Sequence, residues 1–544
     1  LALSTRKIAQ PEDGEISNRS IERVSNLRHR IRHLLQGPYA DLVLLKDRDR
    51  GFRGANILEL ADRISEIVKE ESAPWERVAI HLTPSPEQII CILGVMLAER
   101  VPVILGDQPG IHKTEAQCRL GIRSAYNSGP ILSASAVLLT PSFDLTLVHA
   151  RSMKQVLTLD ERSAFVLMSS GSTGDPKGIC IPLQGVECTV NELIKRFNLG
   201  RHTVAPLLLP TCHSMALNTQ LLPTLLAGGV SVFMEGAKRT NSSYRMVVRE
   251  CGTFVAIVAD LVRLLWDEHR RFGVPVAEHV EHVQLAGGYI HHSHIAMARD
   301  LFPNARIHKG YGLTEAIRVT MTEVDLQGEI TDSVGQPLSF VEVEIRDESG
   351  TCLEAGRTGE IFVRGPAVMV GRMENPSLVY TDSQGYLATG DVGYLREDGQ
   401  LVVKGRLDGV YKLSGLKVAG AEIERAVVEN ILDVKTAKCL AVFDERVTRQ
   451  RLVLYLEVEN ATSANLDVLE SEIASVIALT SHRFEHFPRD IVLLEKLPRG
   501  ENGKVLLHDL EKDWRARMAS SSSANGDEVF CGRSTNLRIY QAVQ

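Results

Sequence analysis

The sequence holds 544 residues, too many for one ordinary core, so two or more domains with ample apolar surface to bury are expected. A hydrophobic share of 44% and a charged share of 24% describe a globular chain, and a net charge of -7 with a pI near 6.2 gives no support to nucleic-acid binding. Nine cysteines without a C-x-x-C or a His/Cys grouping at zinc spacing point to reduced thiols in a cytoplasmic protein, not to a metal site or a disulfide framework.

In chain order, residues 40 to 106 alternate strand-like ADLVLL, helix-like ANILELADRISEIVKEE, strand-like RVAIHL, helix-like PEQIICILGVMLAER and strand-like VPVILG. That β-α-β-α-β rhythm predicts a parallel sheet covered by helices. The apolar run IICILGVMLA stops at Glu99 and Arg100, short of the roughly 20 residues a membrane span needs, and no secretory leader is read at the start. The rhythm returns with a helix from Gln184 to about Phe197, the strand VAPLLLP, a helix from Leu217 to Leu226, and the strands GVSVFM, TFVAIVA and HVQLAGG, which predict a second parallel sheet. From Val334 to Leu407 short alternating segments between turns (VEVEIRDESGTCL, GEIFVRG, GYLATGD, GQLVVKG) predict an antiparallel β subdomain. After GRLDG a compact α+β unit follows, with AEIERAVVENI as helix, TAKCLAVF and RLVLYLEVE as strands and LESEIASVIALTSHRF as helix. The expected division is therefore a large α/β domain over 1–407, a smaller C-terminal domain over 408–514, and a flexible tail over 515–544 whose MASSSSANGDEVF is small and polar.

The stretch LMSSGSTGDPKGI follows the buried-strand reading of Ala164 to Met168. A Walker A loop needs G-x-x-x-x-G-K-[ST], but counting from Gly171 puts Pro176 at the second glycine and Gly178 at the hydroxyl, so that reading fails. What remains is a loop with Ser169, Ser170, Ser172 and Thr173 as donors, Gly171 and Gly174 to let backbone N–H groups approach a ligand, and Lys177 as a point charge. A phosphate cradle and an ordinary glycine-rich surface turn both satisfy that composition.

The order S-S-G-S-T-G-D-P-K-G resembles the signature loop of the adenylate-forming superfamily, which includes acyl-CoA synthetases, aryl-acid ligases, luciferases and the adenylation domains of peptide synthetases. Five further stretches follow in the family's order. YGLTEA resembles its second ATP motif, which implies that Tyr311 and Gly312 lie against adenine, Thr314 near the α-phosphate and Glu315 on Mg²⁺. AGGYI, with Gly287 and Gly288, resembles the segment bordering both adenine and the acyl pocket. YLATGD resembles the motif whose carboxylate accepts from both ribose hydroxyls, here Asp391. GRLDGVYKLSGLKVAGAEIE implies Arg406 near ribose or phosphate and Asp408 as hinge, and PRGENGKV implies Lys504 as the lysine bridging the acid's carboxylate and the α-phosphate. Residues 20 to 512 are covered. The chain departs from the common pattern with a serine in the first loop, where many members have tyrosine or threonine, and with Gly409 after the hinge, where a second acid is common.

The resemblance implies ATP-dependent activation of a carboxylic acid as an acyl adenylate, then transfer to the thiol of CoA. A carboxylate and a triphosphate are both anions: at about 4 Å two unit charges repel by roughly 4 kcal/mol at an effective dielectric of about 20. Lys504, Lys177 and Mg²⁺ at Glu315 are the cations expected to neutralise them. In the family the small domain then swings and opens a tunnel for pantetheine, which Gly415 is expected to line.

LPTCHSMALNTQLLPTLLAGG resembles the aryl-acid and coumarate CoA ligases, which implies His213 at the mouth of the acid pocket; a core histidine is the competing reading. Relatives that activate amino acids carry an aspartate where this chain has Met215, which disfavours an α-amino acid. Three readings stay open: an acid–CoA ligase for an aryl or acyl acid, a stand-alone ligase that loads a carrier-protein phosphopantetheine or an amine (or activates an unusual oxyacid), and a protein that binds ATP without turnover.

Overall fold

The computed structural model describes residues 26–520 except 49, 107–113, 116, 127–132, 134, 141, 150–156, 170–176, 235–242, 288–289, 291, 326–331, 408–409, 414–415, 432, 445–448, 459–468, 470–471, 474, 477–487, 489 and 501–504, together with 529–531 and 538–541.

The first β-α-β-α-β stretch folds as its periodicity requires. The helix Gly54–Glu71 buries Ile57, Leu58, Ala61, Ile64 and Val68, a spacing of three and four that makes one apolar face. The next helix, Pro86–Leu97, starts with Pro86 in its first turn and with the Ser85 hydroxyl accepting from the Gln88 N–H at 3.3 Å. It is buried on nearly all sides, and Gly94 lets it approach the first helix: a Cβ there would lie 2.8 Å from the Ala61 carbonyl oxygen.

Strands Arg77–His81 and Val101–Ile104 sit side by side and parallel at the middle of an eight-stranded mixed sheet. One flank continues through Ser163–Ser169 and Lys177–Pro182, the other through Leu120–Ser124, Ser135–Leu139 and Leu145–His149, three strands that periodicity did not pick out. The strand from ADLVLL, Val43–Lys46, lies outside that sheet: it pairs antiparallel with the adjacent Gly51–Arg53 and parallel with Val230–Phe233. The strands expected to form one second parallel sheet thus divide: Val204–Leu207 and Val230–Phe233 join Val43–Lys46, while Phe254–Ile257 and His282–Leu285 run parallel with Arg306–Leu313 in a sheet that continues through antiparallel Ala316–Glu323 to Gln336–Pro337. Helices Ala259–Phe272 and His292–Leu301 connect those parallel strands, as parallel crossovers require.

The antiparallel subdomain is a four-stranded sheet of Glu342–Arg346, Gly359–Arg364, Leu387–Leu395 and Leu401–Arg406. Beyond it, helix Gly420–Asn430 packs on strands Val434–Asp444, Arg449–Val458 and Asp490–Leu494 around a separate apolar core that includes Ile423, Val427, Leu454 and Ile491. Where a flexible tail was expected, helix Leu507–Ser520 runs past residue 515 and strands Val529–Cys531 and Arg538–Gln541 extend the same sheet. The result is an α/β fold of several sheets with helices and, among the described residues, no barrel.

Candidate active site

Arg306–Leu313 and Ala316–Glu323 form a hairpin in which Leu313 pairs with Ala316, so Thr314 and Glu315 make its two-residue turn. The register slips between Tyr311 and Leu313, and Gly312 sits in that slip against the facing strand: a Cβ there would lie 2.8 Å from the Arg318 backbone nitrogen. This close approach is why glycine separates the aromatic residue from the turn.

Tyr311, Asp391 and Arg406 meet, although 80 residues separate the first two in the chain and 15 the last two. The Tyr311 hydroxyl donates to Asp391 Oδ2 at 2.5 Å, and Arg406 donates to Asp391 Oδ1 at 3.3 Å and to the Thr389 carbonyl at 3.3 Å. Asp391 and Arg406 are placed by register, since they are Cα partners across strands Leu387–Leu395 and Leu401–Arg406. Burial of the phenol, reinforced by the neighbouring Asp391 carboxylate, holds the Tyr311 pKa well above its ordinary value, so this hydroxyl is a neutral donor. Gly390, in the left-handed region at φ 71°, makes the corner beneath the pair. A carboxylate has about four acceptor sites, and these two contacts take one on each oxygen.

The signature loop joins two strands of one sheet. Ser169 ends one, Lys177 begins the next, and the two are Cα partners; Ser170, Gly171, Ser172, Thr173 and Gly174 lie outside the described residues. The strand–loop–strand connection differs from the strand–loop–helix of a Walker A site. A segment from Ala367 to Glu374 laces this hairpin to the Thr314–Glu315 turn. Met369 donates its N–H to the Glu315 carbonyl at 2.8 Å, Val370 to the Cys180 carbonyl at 3.0 Å, and the Gly178 N–H reaches Glu374 Oε1 at 2.7 Å. Two expected ATP motifs far apart in sequence are thereby tied into one framework.

Gly287 lies just past strand His282–Leu285 with φ 83°; Gly288 lies outside the described residues. His213 is half-buried and occupies the N-cap position of a short helix, Ser214–Ala216, that opens into a π-helical stretch, Leu217–Leu221, before Leu222–Leu226. Gly415 and Lys504 also lie outside the described residues. Their flanks are described: Leu413 pairs with Leu416, and Arg499 bridges to Val505 while its guanidinium reaches Glu457 at 2.8 Å. Among the described residues no group of three His, Cys, Asp or Glu side chains could hold a metal ion. The single carboxylate of Glu315, at a half-buried turn, suits Mg²⁺ as that ion is usually bound, by one or two carboxylates with phosphates and waters completing the shell.

Residues 123–371 match the family described as AMP-binding enzyme. Over that span the chain is similar to the AMP-binding enzymes. Curated proteins similar to it include 4-coumarate–CoA ligase 2 of Solanum tuberosum, 27% identical over 367 residues that make up 65% of this chain and 65% of that one. The match thus spans about two thirds of the curated relative's length. Among solved adenylate-forming folds, ATP-bound MatB of Rhodopseudomonas palustris superposes with a TM-score of 0.74 at 19% identity over 89% of this chain and 99% of that one. The amide bond synthetase McbA of Marinactinospora thermotolerans gives 0.73 at 21% over 90% and 99%.

Sequence reasoning missed one group of residues. Arg318, three residues beyond Glu315, is 4% exposed and has φ 80°, a region a non-glycine residue rarely adopts. Its guanidinium donates to Thr219 Oγ1 at 3.3 Å, and Gln284 donates to the same oxygen at 2.7 Å. Burial alone lowers the Arg318 pKa to about 10, which leaves it a cation at neutral pH. The available signal was a charged residue inside the otherwise uncharged run AIRVTMT that follows the motif.

Proposed function

We propose that the protein is an AMP-forming acid–thiol ligase: it activates an aryl or acyl carboxylic acid with ATP and passes the acyl group to the thiol of CoA. The observation that carries this reading is the Tyr311–Asp391–Arg406 constellation beside the Thr314–Glu315 turn, which is laced to the strand that Lys177 begins. The names of the relatives, coumarate–CoA ligases, support the thiol acceptor.

In this reading one oxygen of the acid attacks the α-phosphorus. A P–O bond forms, the α–β phosphoanhydride bond breaks, and pyrophosphate leaves. Asp391 accepts from the ribose hydroxyls with its remaining lone pairs, and the Tyr311 hydroxyl and Arg406 hold that carboxylate in place. Thr314 donates toward the α-phosphate, and Glu315 would hold Mg²⁺, which supplies charge neutralisation when bound. Lys177 and the loop from Ser169 to Gly174 approach the outer phosphates, Gly287, Gly288 and Gly312 give the adenine close access to backbone, and His213 stands at the acid's entry. Lys504 reaches across from the C-terminal domain, residues 408–514, to the two reacting anions. After adenylation that domain turns about Asp408, Lys504 withdraws, and Gly415 leaves a passage for the pantetheine thiol. The thiol sulfur then attacks the acyl carbon, the bond to AMP breaks, and the thiol proton passes to solvent. The place of action is the cytoplasm; among the described residues no helix is long and apolar enough to cross a membrane.

The amide bond synthetase among the solved neighbours favours one alternative, transfer to an amine in place of a thiol; a carrier-protein phosphopantetheine is the other acceptor of the same chemistry. Acid-dependent exchange of labelled pyrophosphate into ATP tests the first half-reaction. Release of AMP on adding CoA, holo carrier protein or an amine in parallel identifies the acceptor. A protein that binds ATP yet never exchanges pyrophosphate with any acid sinks the reading.

A further inference from the structure

The buried group around Arg318 lies where three elements converge. The hairpin supplies Arg318 itself and Gly310, whose missing side chain makes room for the guanidinium: a Cβ there would stand 2.4 Å from Arg318 Nη1. The parallel strand His282–Leu285 supplies Gln284, a Cα partner of His308, so Gln284 lies on the face that Gly310 shares with His308 two residues earlier. The π-helical stretch supplies Asn218 and Thr219, both buried. Such stretches recur at functional sites, because the extra residue per turn pushes backbone and side chains out of helical register.

Hydrogen bonding in this group is incomplete, with one donor and two acceptors unpartnered. Arg318 Nε, Gln284 Oε1 and Asn218 Oδ1 are each buried without a hydrogen-bond partner, and among the described residues no carboxylate pairs with the guanidinium. Thr219 Oγ1 is its hydrogen-bond acceptor, and that oxygen also accepts from Gln284 and donates to the Met215 carbonyl. A buried cation needs an anion with fixed acceptors, and a planar guanidinium matches a carboxylate in two-point geometry. The backbone at Arg318 is held at φ 80° in the same place, and strained conformations of this kind collect at ligand sites.

We infer that the acid carries a second carboxylate, which Arg318 binds with Thr219, Gln284 and Asn218 around it while the first carboxylate is activated. This inference rests on the ligase reading above and narrows its substrate to dicarboxylic acids. The amide groups of Gln284 and Asn218 turn so that their NH₂ ends face the incoming oxygens, Gln284 giving up its donation to Thr219 Oγ1 and Asn218 its donation to Ser214 Oγ.

The test uses the full chain and pyrophosphate exchange with matched series: aliphatic and benzoic monoacids, the same skeletons with a second carboxylate, and the same skeletons with a carboxamide in its place. The expected result is at least 10-fold higher kcat/KM for a diacid than for its monoacid and its carboxamide. Arg318→Met should erase that preference mainly through KM, while thermal melting stays within a few degrees of the parent. If Arg318→Met does not fold, Thr219→Val, which keeps the shape and removes the shared oxygen, should raise the diacid KM several-fold. Equal use of monoacid and diacid, equal use of carboxamide and carboxylate, or an unchanged preference in the variants overturns the inference and leaves the ligase reading intact. Exchange with no acid of any series overturns the ligase reading, and this inference with it.

Discussion

Two ends of one hairpin handle charge in opposite ways. At Tyr311 the Asp391 carboxylate already has a phenol and a guanidinium on its two oxygens, so the corner expected to hold ribose is braced before any nucleotide arrives. Seven residues on, the Arg318 guanidinium is buried deeper and has a hydroxyl as its hydrogen-bond acceptor. The difference teaches that satisfied polar groups hold a site in shape, while unsatisfied buried ones show what a ligand has to bring. A nucleotide common to many enzymes calls for a standing frame, and a particular acid calls for an unmet partner.

The comparison can be broken from its strongest side first. Lys504→Ala should lower adenylate formation by about 10³-fold, the scale expected when a positioned charge is removed from a developing anion, and leave thioester formation from a presynthesised adenylate within about 10-fold. Equal loss in both half-reactions would remove Lys504 from the role. Next, Asp391→Ala should raise the KM for ATP about 100-fold, because hydrogen bonds to a charged group contribute on the order of 2 to 3 kcal/mol and the variant also strands the Tyr311 hydroxyl. Tyr311→Phe, which removes only the brace, should raise it less than about 10-fold; a larger effect than Asp391→Ala would show that the ring, and not the carboxylate, carries nucleotide affinity.

The smallest effect concerns pH and the hairpin's first strand, Arg306–Leu313, which carries Tyr311. Burial, with His282 beside it at 3.3 Å, lowers the His308 pKa from 6.5 to about 3. Between those values the unfolded chain takes up a proton that the folded chain refuses. The contribution to stability is therefore complete above pH 6.5 and is lost as pH falls toward 3, on the order of 1 kcal/mol per pH unit. Melting temperatures of the parent and of His308→Gln between pH 7 and 4.5 should fall less steeply for the variant. Parallel slopes would show that other groups govern acid sensitivity.

Much of the fold was legible because its signals are local. The helices Gly54–Glu71 and Pro86–Leu97 have apolar faces or caps written into adjacent residues, and the antiparallel subdomain shows alternation between turn residues. Which sheet a strand joins was not legible. Val43–Lys46 reads as the first strand of its own βαβ unit, yet it pairs with Val230–Phe233, because a four-residue apolar strand fits any parallel neighbour of matching burial. The Leu120–Ser124 and Ser135–Leu139 strands escaped because buried parallel strands lack a period that sets them apart.

The site divides in the same way. Tyr311, Thr314, Glu315, Asp391 and Arg406 stand in short contiguous runs, and a run of neighbouring residues can be set beside a known motif without a structure. Arg318, Thr219 and Gln284 are separated by 65 and 99 positions and belong to no run. Sequence by itself determined the alternation of helices and strands and the motifs that point to a nucleotide, since periodicity and contiguous motifs are properties of neighbouring residues. Only the tertiary structure decided which strands share a sheet and that a guanidinium lies buried beside the turn with no carboxylate against it among the described residues, since burial and pairing depend on what distant segments bring to the same point.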